Sequence, residues 1–318
     1  MRRFILALIL IGLTGNVWAQ SWPSKPIHAI VPLTPGSATD IVARTVLEQV
    51  STQLGQPIIV ENRPGAGNTI GMGAVAKSDP DGYTILVNSS SHTVAPASHA
   101  SLPFDTVGDL AAVIPLGNMP VVMVVLPSKG YRKLSDFVAA ARAKPGSINY
   151  SSAGAGNSSH LNGERFRLAA KFEAVHLPFK GAPEAITEVL AGRSDFYFSP
   201  LLVALPFLHD GKLQALAVSG SRRASTLPDV PTTTEAGYPN SEYNFWIGMF
   251  IPAKTPAAII PKLHQETAKA LQNPATREKL AKLGVEPMPM ASAQFEALVR
   301  DEITLNTKLV KDAGIKAN

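Results

Sequence analysis

The sequence predicts an α/β protein of two doubly wound α/β lobes, joined by a two-crossing hinge. Its 318 residues exceed what a single hydrophobic core usually organises, so two lobes are expected. Short β-branched runs alternate with longer helical stretches, an order typical of strand–helix–strand units. Two segments rich in proline and glycine interrupt this alternation, and they are the predicted crossings between the lobes.

The first nineteen residues (1–19) are predicted to be a signal peptide. Arg2 and Arg3 precede a short apolar run, and Ala19 places a small residue before a cleavage point at Gln20. A basic start, a short apolar core and a small residue at the cleavage point are the parts of a secretory signal. The apolar run has about half of the ~20 residues that a membrane anchor needs. We therefore expect cleavage and a periplasmic product.

Charge and composition exclude several classes of function. Two of the 29 basic residues and none of the 24 acidic ones lie in the leader, so the remaining chain has 27 against 24 and a formal charge of +3. With no run of Lys and Arg, we expect no nucleic-acid partner. Separately, we expect the chain to be a monomer. The absence of cysteine excludes disulfides, thiolate metal sites and a cysteine nucleophile.

Nine segments rich in β-branched and aromatic residues are predicted strands. They span residues 28–33, 57–61, 84–88, 121–126, 147–151, 174–178, 194–199, 213–218 and 245–251. Unbroken apolar runs of this kind are typical of parallel strands covered on both faces. Each lobe is therefore expected to contain a parallel sheet.

Helical stretches separate these strands. They span residues 40–54, 134–144, 158–171, 183–191 and 256–271. In the first, Val42, Val46, Val50 and Leu54 fall on one face at helical spacing, which indicates ordinary packing against a sheet.

The predicted outward crossing is residues 113–126, where prolines and a glycine interrupt an apolar run. The return crossing is expected between the turn-rich segment 228–240 and Pro252, and the C-terminal helices then rejoin the first lobe. The first lobe is thus residues 20–120 plus 241–318, and the second is residues 121–240. Ligands of open α/β sheets bind outside the carboxyl ends of the strands, so the cleft between the lobes is the predicted site.

Three strand ends carry small and hydroxyl-bearing residues. The candidate ligand-binding residues there are Thr34, Pro35, Gly36, Ser37, Thr39 and Asp40, then Ser89 and Ser90, then Ser152, Ala153, Gly154, Ala155, Asn157 and Ser158. The first and third loops precede a helix, whose N-terminus offers free N–H groups and about half a positive charge to an anion. One such seat from each lobe suits a carboxylate. The alternative is plain turn chemistry with N-capping by these residues.

The sequence lacks the motifs for dinucleotide binding, serine-nucleophile catalysis and metal binding. Residues 154–159 approach the dinucleotide fingerprint but have Ser at the third glycine, and no acidic residue follows the next strand. No serine-nucleophile elbow or H-E-x-x-H motif occurs, and the seven histidines lack metal-ligand spacing. We predict no enzyme activity, no catalytic residue, no metal and no cofactor. His92 is a lesser candidate for ligand contact. Phe179, Phe198 and Trp246 are core residues by default, of which at least one is expected to line the pocket.

Short motifs occur in a fixed order along the whole chain after the leader. They are Lys25-Pro26-Ile27, Val31-Pro32, Pro35-Gly36, Thr39-Asp40, Glu61-Asn62-Arg63-Pro64-Gly65-Ala66-Gly67, Asp81-Gly82-Tyr83-Thr84, Lys144-Pro145-Gly146, Asn149-Tyr150, Ser152-Ala153-Gly154, Ser159-His160-Leu161, Lys180-Gly181, Leu227-Pro228-Asp229-Val230-Pro231-Thr232 and Ala313-Gly314-Ile315-Lys316. In these motifs the chain resembles the Bug family, the extracytoplasmic receptors of tripartite tricarboxylate transporters.

The resemblance implies a type II periplasmic-binding-protein fold that closes on its ligand and passes it to membrane permease subunits. Family ligands are mostly carboxylates, including di- and tricarboxylates, acidic amino acids, nicotinate and aromatic acids. The resemblance places one carboxylate between loops 34–40 and 152–159, partly through water, with a contribution from the turn at Ser89 and Ser90. It gives the distal end of the ligand to more variable positions, here Phe179, Ser199 and the pair 245–246.

Two departures from the family pattern affect ligand choice. Ser37 stands where most relatives have a second glycine, so a side chain is added where backbone usually faces the ligand. Ser199 stands where many relatives have Asp, and an Asp there could pair a ligand ammonium. We therefore expect carboxylates without an amino group to bind better than amino acids, unless Ser199 only caps the helix near Leu201. A receptor for a sensor kinase and a secreted serine hydrolase are the alternative functions; the hydrolase lacks a paired base.

Overall fold

The computed structural model describes residues 22–99 and 101–315. The predicted signal peptide, residues 1–19, lies outside the described residues. Within them, no helix combines the length and apolar character that a membrane crossing requires.

The described residues form ten strands. They are β1 (Ile27–Val31), β2 (Ile58–Asn62), β3 (Thr84–Ser89), β4 (Leu110–Asn118), β5 (Val121–Val125), β6 (Ile148–Ser152), β7 (Ala174–Pro178), β8 (Phe196–Pro200), β9 (Gln214–Val218) and β10 (Trp246–Pro252). All nine predicted strands are present, each within two residues of its predicted ends.

The same part of the chain forms ten α-helices. They are α1 (Ala38–Leu54), α2 (Thr69–Ala76), α3 (Ser91–Ser98), α4 (Leu134–Ala143), α5 (Ser158–Ala170), α6 (Ala182–Leu190), α7 (Leu201–His209), α8 (Ile259–Gln272), α9 (Pro274–Lys282) and α10 (Ser292–Ala313). The predicted helices correspond to α1, α4, α5, α6 and α8. The short helices α2 and α3 were not predicted, because eight residues are too few for a clear helical period.

The strands form two five-stranded sheets of the same topology. Lobe I contains the order β2-β1-β3-β10-β4, and lobe II contains β7-β6-β8-β5-β9. The predicted α/β fold of two lobes is confirmed. The lobe boundaries, 20–120 plus 241–318 and 121–240, stay a prediction, which the membership of the two sheets supports.

The prediction of parallel sheets is wrong for one strand in each lobe. β10 is antiparallel to β3 and β4, and β5 is antiparallel to β8 and β9. The reason is the crossing itself. β4 ends at the cleft, and only Met119 and Pro120 separate it from β5, so the chain enters lobe II from the cleft side and runs away from it. β10 follows the return crossing and enters lobe I in the same way.

The outward crossing lies at Met119 and Pro120, inside the predicted segment 113–126. The rest of that segment is mostly strand, because β4 runs to Asn118 and β5 begins at Val121. Pro115 is tolerated because β4 is the edge strand of its sheet and is irregular there, with Gly248 of β10 opposite Pro115 beside a register shift.

Each lobe has its own aromatic core. In lobe II, Phe166 packs edge-on against Phe172 and Phe198, with ring centroids 5.6 and 5.5 Å apart. In lobe I, Trp246 packs edge-on against Phe295 at 5.0 Å. Helix α10 covers β4 and α3 in lobe I and also contacts α5 in lobe II, so the last helix joins both lobes.

Candidate functional site

The carboxyl ends of β1, β3, β6 and β8 meet at the cleft between the lobes, where the following loops enclose a small cavity. Its walls are Leu33, Ser37, Ala38, Thr39 and Ser89 from lobe I; Ala153, Asn157, Ser158, Ser159, Asn162, Ala182, Tyr197, Phe198 and Pro200 from lobe II; and Val121, Tyr243 and Phe245 beside the crossings. The cavity volume is about 20 Å³, which holds about one water molecule. A larger ligand therefore needs the lobes to separate or the walls to move.

Two helix N-termini face this cavity, one from each lobe. Ser37 is the extended N-cap of α1, and its hydroxyl accepts a hydrogen bond from the Asp40 amide at 3.3 Å. Asn157 caps α5 by accepting from the amides of Ser159 and His160 at 3.0 and 3.1 Å. The remaining first-turn amides, such as that of Thr39, have no intrahelical partner. Both helix dipoles thus direct their positive ends at the same space.

Among the described residues, those that line the cavity include no Asp, Glu, Lys, Arg or His. Two buried polar groups in the wall also lack a hydrogen-bond partner in the described chain, the Tyr197 hydroxyl and the Asn162 side-chain oxygen. Burial raises the pKa of Tyr197, and the Ser159 hydroxyl nearby lowers it by less without making a hydrogen bond of ordinary geometry. The Tyr197 hydroxyl therefore stays protonated and can donate. The cavity therefore offers neutral donors and helix dipoles to an anion, and no carboxylate to a cation.

Six of the predicted site residues line the cavity. They are Ser37, Thr39, Ser89, Ala153, Asn157 and Ser158. Since all six are buried and come from all three predicted loops, the structure brings the three strand ends together as expected.

Two predicted residues of the first loop, Asp40 and Gly36, shape its turn and do not line the cavity. The Asp40 carboxylate accepts hydrogen bonds from the Gly36 amide at 3.0 Å, from Asn62 Nδ2 at 3.0 Å and from Arg44 Nε at 2.9 Å. Asp40 is thus saturated with donors and holds the turn before α1. Pro35 is exposed at the tip of this turn.

In the third loop, Ser152 and Gly154 form a backbone support. The Ser152 hydroxyl accepts from the Gly154 amide at 3.2 Å and lies 2.6 Å from His176 Nε2 in a second hydrogen bond. Gly154 has a positive φ of 138°. Both residues lie outside the cavity wall, and they fix the path of the loop that carries Ala153.

Two predicted residues contact the opposite lobe instead of the cavity. Thr34 lies against Gly181, and Ala155 lies against Gly67. The Ser98 hydroxyl donates to the Gly156 carbonyl at 3.3 Å on the same side as Ala155. These contacts show that the two lobes are closed on each other.

Three predicted residues lie outside the cavity for other reasons. The Ser90 hydroxyl is 3.3 Å from the hydroxyl of Tyr243, which lines the cavity, but Ser90 itself does not line it. Phe179 is half-buried beside the cleft and is not among the lining residues. The Ser199 hydroxyl is fully buried and donates to the Pro200 carbonyl at 3.1 Å, as a residue that belongs to the strand rather than to the cavity.

The histidines next to the cleft are structural. His92 is fully buried and stacks on Phe250 with centroids 3.9 Å apart, so it does not touch the cavity. His160 and His176 stack on each other at 3.7 Å, and His160 Nδ1 accepts from the Gly156 amide at 3.1 Å. Burial is the main cause that lowers the pKa of His160 to about 4 and that of His176 to about 3. Both rings are therefore neutral supports of the third loop.

Three polar side chains of the lining lie outside the predicted loops: Asn162, Tyr197 and Tyr243. Asn162 lies one helical turn after Ser158 on α5, and that i, i+4 spacing could have identified it. Tyr197 precedes Phe198 on β8 inside an aromatic run that reads as core. Tyr243 lies in the turn-rich return crossing, where no period indicates its direction.

Known proteins are similar to this chain in sequence and in fold. Residues 42–315 match the model of the tripartite tricarboxylate transporter family receptor. The chain is 34% identical to the protein BugT of Bordetella pertussis, over 96% of this chain and 94% of BugT. It is similar to the solved structure of Rpa4515 of R. palustris with adipate, with a TM-score of 0.89, 29% identity and coverage of 93% and 99% of the two chains. MatC of Rhodopseudomonas palustris with bound malate gives 0.86 and 31%, with 91% and 100% covered.

Proposed function

The chain belongs to the tripartite tricarboxylate transporter receptor family, and on that premise we propose that it captures a small dicarboxylate between its lobes and delivers it to the membrane permease of such a transporter. As a family member it is a periplasmic solute-binding protein and not an enzyme. The ligand class, the delivery step and the residues that hold the ligand are the proposal.

One observation carries the ligand class. The N-termini of α1 and α5 converge on a cavity whose described walls contain no charged side chain. Two positive dipole ends and the unpaired first-turn amides of α1 compensate an anion, whereas a buried cation would find no partner. The adipate and malate of the similar structures are anions of this kind, and both are dicarboxylates.

The proposed contacts are divided between the lobes. One carboxylate accepts hydrogen bonds from the first-turn amides of α1, near Thr39, and from Ser158 at the start of α5. The Tyr197 hydroxyl donates to the rest of the ligand. The Asn162 oxygen accepts from a ligand hydroxyl or a bound water. Phe198 and Phe245 line the apolar part of the cavity and pack against the carbon chain.

A thermal-shift screen of carboxylic acids tests the ligand class. A ligand that binds only the folded state raises the melting temperature by mass action. Malate, adipate and succinate are expected to give concentration-dependent increases, and the corresponding diamides are the control, because they keep the shape but lose the charge. A diamide that stabilises the protein as much as its diacid would contradict the carboxylate seat.

Delivery and location need separate measurements. Uptake of the identified acid should be lost when the gene is deleted and should return with the wild-type chain. If uptake persists while a ligand-dependent signalling response is lost, the chain feeds a sensor kinase instead. The mature chain is expected to begin at Gln20 in the periplasmic fraction, which N-terminal mass spectrometry checks. An intact N-terminus in the membrane fraction would contradict this processing.

A further inference from the structure

Gly181 of lobe II meets Thr34 of lobe I where the two lobes close. A Cβ atom placed on Gly181 would lie 1.9 Å from Thr34 Oγ1 and 3.0 Å from both Thr34 Cβ and Cγ2. Rotation of the threonine side chain cannot relieve the contact with Thr34 Cβ, because that atom does not move with χ1. In the closed arrangement, a side chain at position 181 would therefore force Thr34 to rotate and the two backbones to move apart.

The backbone does not explain this glycine. Gly181 has φ −172° and ψ 173°, an extended conformation that any residue adopts. It is the N-cap of α6, where the side-chain oxygen of Ser, Asn or Asp would accept a hydrogen bond from a helix amide and where Gly has no such oxygen. Because Ser, Asn or Asp would serve the helix at least as well as Gly, the contact with Thr34 is the feature that disfavours a side chain here.

Neither partner can move independently of the cavity. The Thr34 carbonyl accepts from the Ser37 amide at 3.2 Å, so Thr34 is tied to the N-cap of α1. The Gly181 carbonyl accepts from the Ala185 amide at 3.1 Å, and the next residue, Ala182, lines the cavity. Pushing Thr34 and Gly181 apart therefore separates the two walls of the cavity.

We propose that Gly181 and Thr34 form a stop that sets how far the lobes close, and that the missing side chain at 181 lets the helix N-termini of both lobes reach one ligand. Gly181 is thus a positioning residue that acts through Thr34. The inference rests on the proposed function, in which the ligand lies between the lobes. A comparable contact exists at Gly67, where a Cβ would lie 2.5 Å from the Ala155 carbonyl oxygen. Its φ of 61° favours glycine independently of that contact, so Gly181 is the cleaner position to test.

Four variants separate closure from general damage. Gly181→Ala adds one methyl group at the stop. Gly181→Ala with Thr34→Gly removes the opposing side chain and should restore closure. Gly220→Ala is the matched control, because an added Cβ there would lie at an ordinary 3.4 Å from the Arg222 carbonyl oxygen, within the same lobe. Thr34→Gly alone shows the effect of loosening its loop.

Closure can be measured directly because the chain has no cysteine. Spin labels at Thr52→Cys on α1 and Ser135→Cys on α4, both exposed, report the distance between the lobes by pulsed electron resonance, with and without malate or adipate. The wild type and Gly220→Ala should shorten this distance with the diacid. Gly181→Ala should keep the longer distance and bind the diacid about ten- to a hundred-fold more weakly, because the donors of one lobe no longer reach it. The double variant should recover both properties.

The outcomes distinguish the two proposals. If Gly181→Ala closes as fully as the wild type, or if the double variant closes no better than Gly181→Ala, the stop does not exist. If the wild type shows no short interlobe distance under either condition, the inference is also wrong. If neither diacid binds but the free wild type has a closed population that Gly181→Ala loses and the double variant regains, the stop stands and the proposed ligand class is wrong.

Discussion

The Ser91 hydroxyl in lobe I accepts a hydrogen bond from the Ser158 amide in lobe II at 3.0 Å. The same hydroxyl donates to Ser158 Oγ, also at 3.0 Å. Ser91 begins α3 and Ser158 begins α5, so one side chain of the first lobe satisfies an amide at the N-terminus of the second lobe's anion seat. The closed lobes are therefore held by a contact at the centre of the proposed site.

The first prediction concerns Ser91→Ala. In the closed cleft this change leaves the Ser158 amide without a partner, which costs about 1–3 kcal/mol and shifts the ligand-free protein towards open lobes. Small-angle scattering should show a larger radius of gyration than for the wild type. Ser78→Ala is the control, because the Ser78 hydroxyl donates only to the Val75 carbonyl in its own lobe. An equal radius for Ser91→Ala and the wild type would contradict the prediction.

The second prediction separates binding from stability at Tyr197. Its buried hydroxyl lacks a partner in the described chain, so Tyr197→Phe should leave the melting temperature unchanged or raise it. The affinity for the diacid should fall about tenfold, because a hydrogen bond to a charged group is lost. Tyr150→Phe is the matched comparison. The Tyr150 hydroxyl donates to Glu164 at 2.6 Å, so this variant should lose about 1–2 kcal/mol of stability. Unchanged affinity in Tyr197→Phe would remove Tyr197 from the site.

The third prediction is a pH dependence of stability. Burial lowers the pKa of His160 to about 4 and that of His176 to about 3; the charge of Arg167 lowers the first further, and the charge of Glu164 raises the second. In the unfolded chain these two histidines take up protons near pH 6.5, and in the folded chain they do not. Their contribution to stability is therefore full above about pH 6.5 and falls as the pH drops towards 4.

The loss for His160 is on the order of 3 kcal/mol, and urea titrations from pH 7.5 to 4 measure it. Gln in place of His160 keeps an acceptor for the Gly156 amide without the titration, so His160→Gln should flatten part of the curve. Substituting the exposed His209 should not. If His160→Gln shows the wild-type slope, the pH dependence comes from other groups.

The fourth prediction concerns ligand choice. The lining residues provide no carboxylate for an ammonium group, so succinate should bind more tightly than aspartate by about tenfold or more. Titration calorimetry with the two acids decides this, and tighter binding of aspartate would refute it. Ser199→Asp is not expected to shift the preference from succinate towards aspartate, since Ser199 is fully buried. We expect that variant to destabilise the fold by burying a charge.

Much of the fold follows from local patterns. The run that became α1 has apolar residues at helical spacing and Ser37 before it, which fix both the helix and its start. The strand directions could not be predicted from local patterns, because the reversal of β5 and β10 depends on the side from which the chain enters each sheet after a crossing. No local period contains that information.

The site was predictable at its loops but less so at its walls. Ser37 and Asn157 were identified because they lie in loops of small and polar residues between a strand and a helix N-terminus, and both line the cavity. Phe179 and Ser199 were expected there through family resemblance, and neither lines it. Tyr197 and the Thr34–Gly181 contact depend on how segments about 150 residues apart come together when the lobes close, which spacing along the chain does not encode.

The two inserted strands also impose an order of assembly. All five strands of lobe II, β5 to β9, are consecutive in the chain, so its sheet can be complete once Val218 is available. In lobe I, β10 lies between β3 and β4, and these two strands have no shared neighbour until residue 252 has been made. A chain synthesised from its N-terminus can therefore complete the sheet of lobe II first. The sheet of lobe I still lacks the strand between β3 and β4 until β10 has been made.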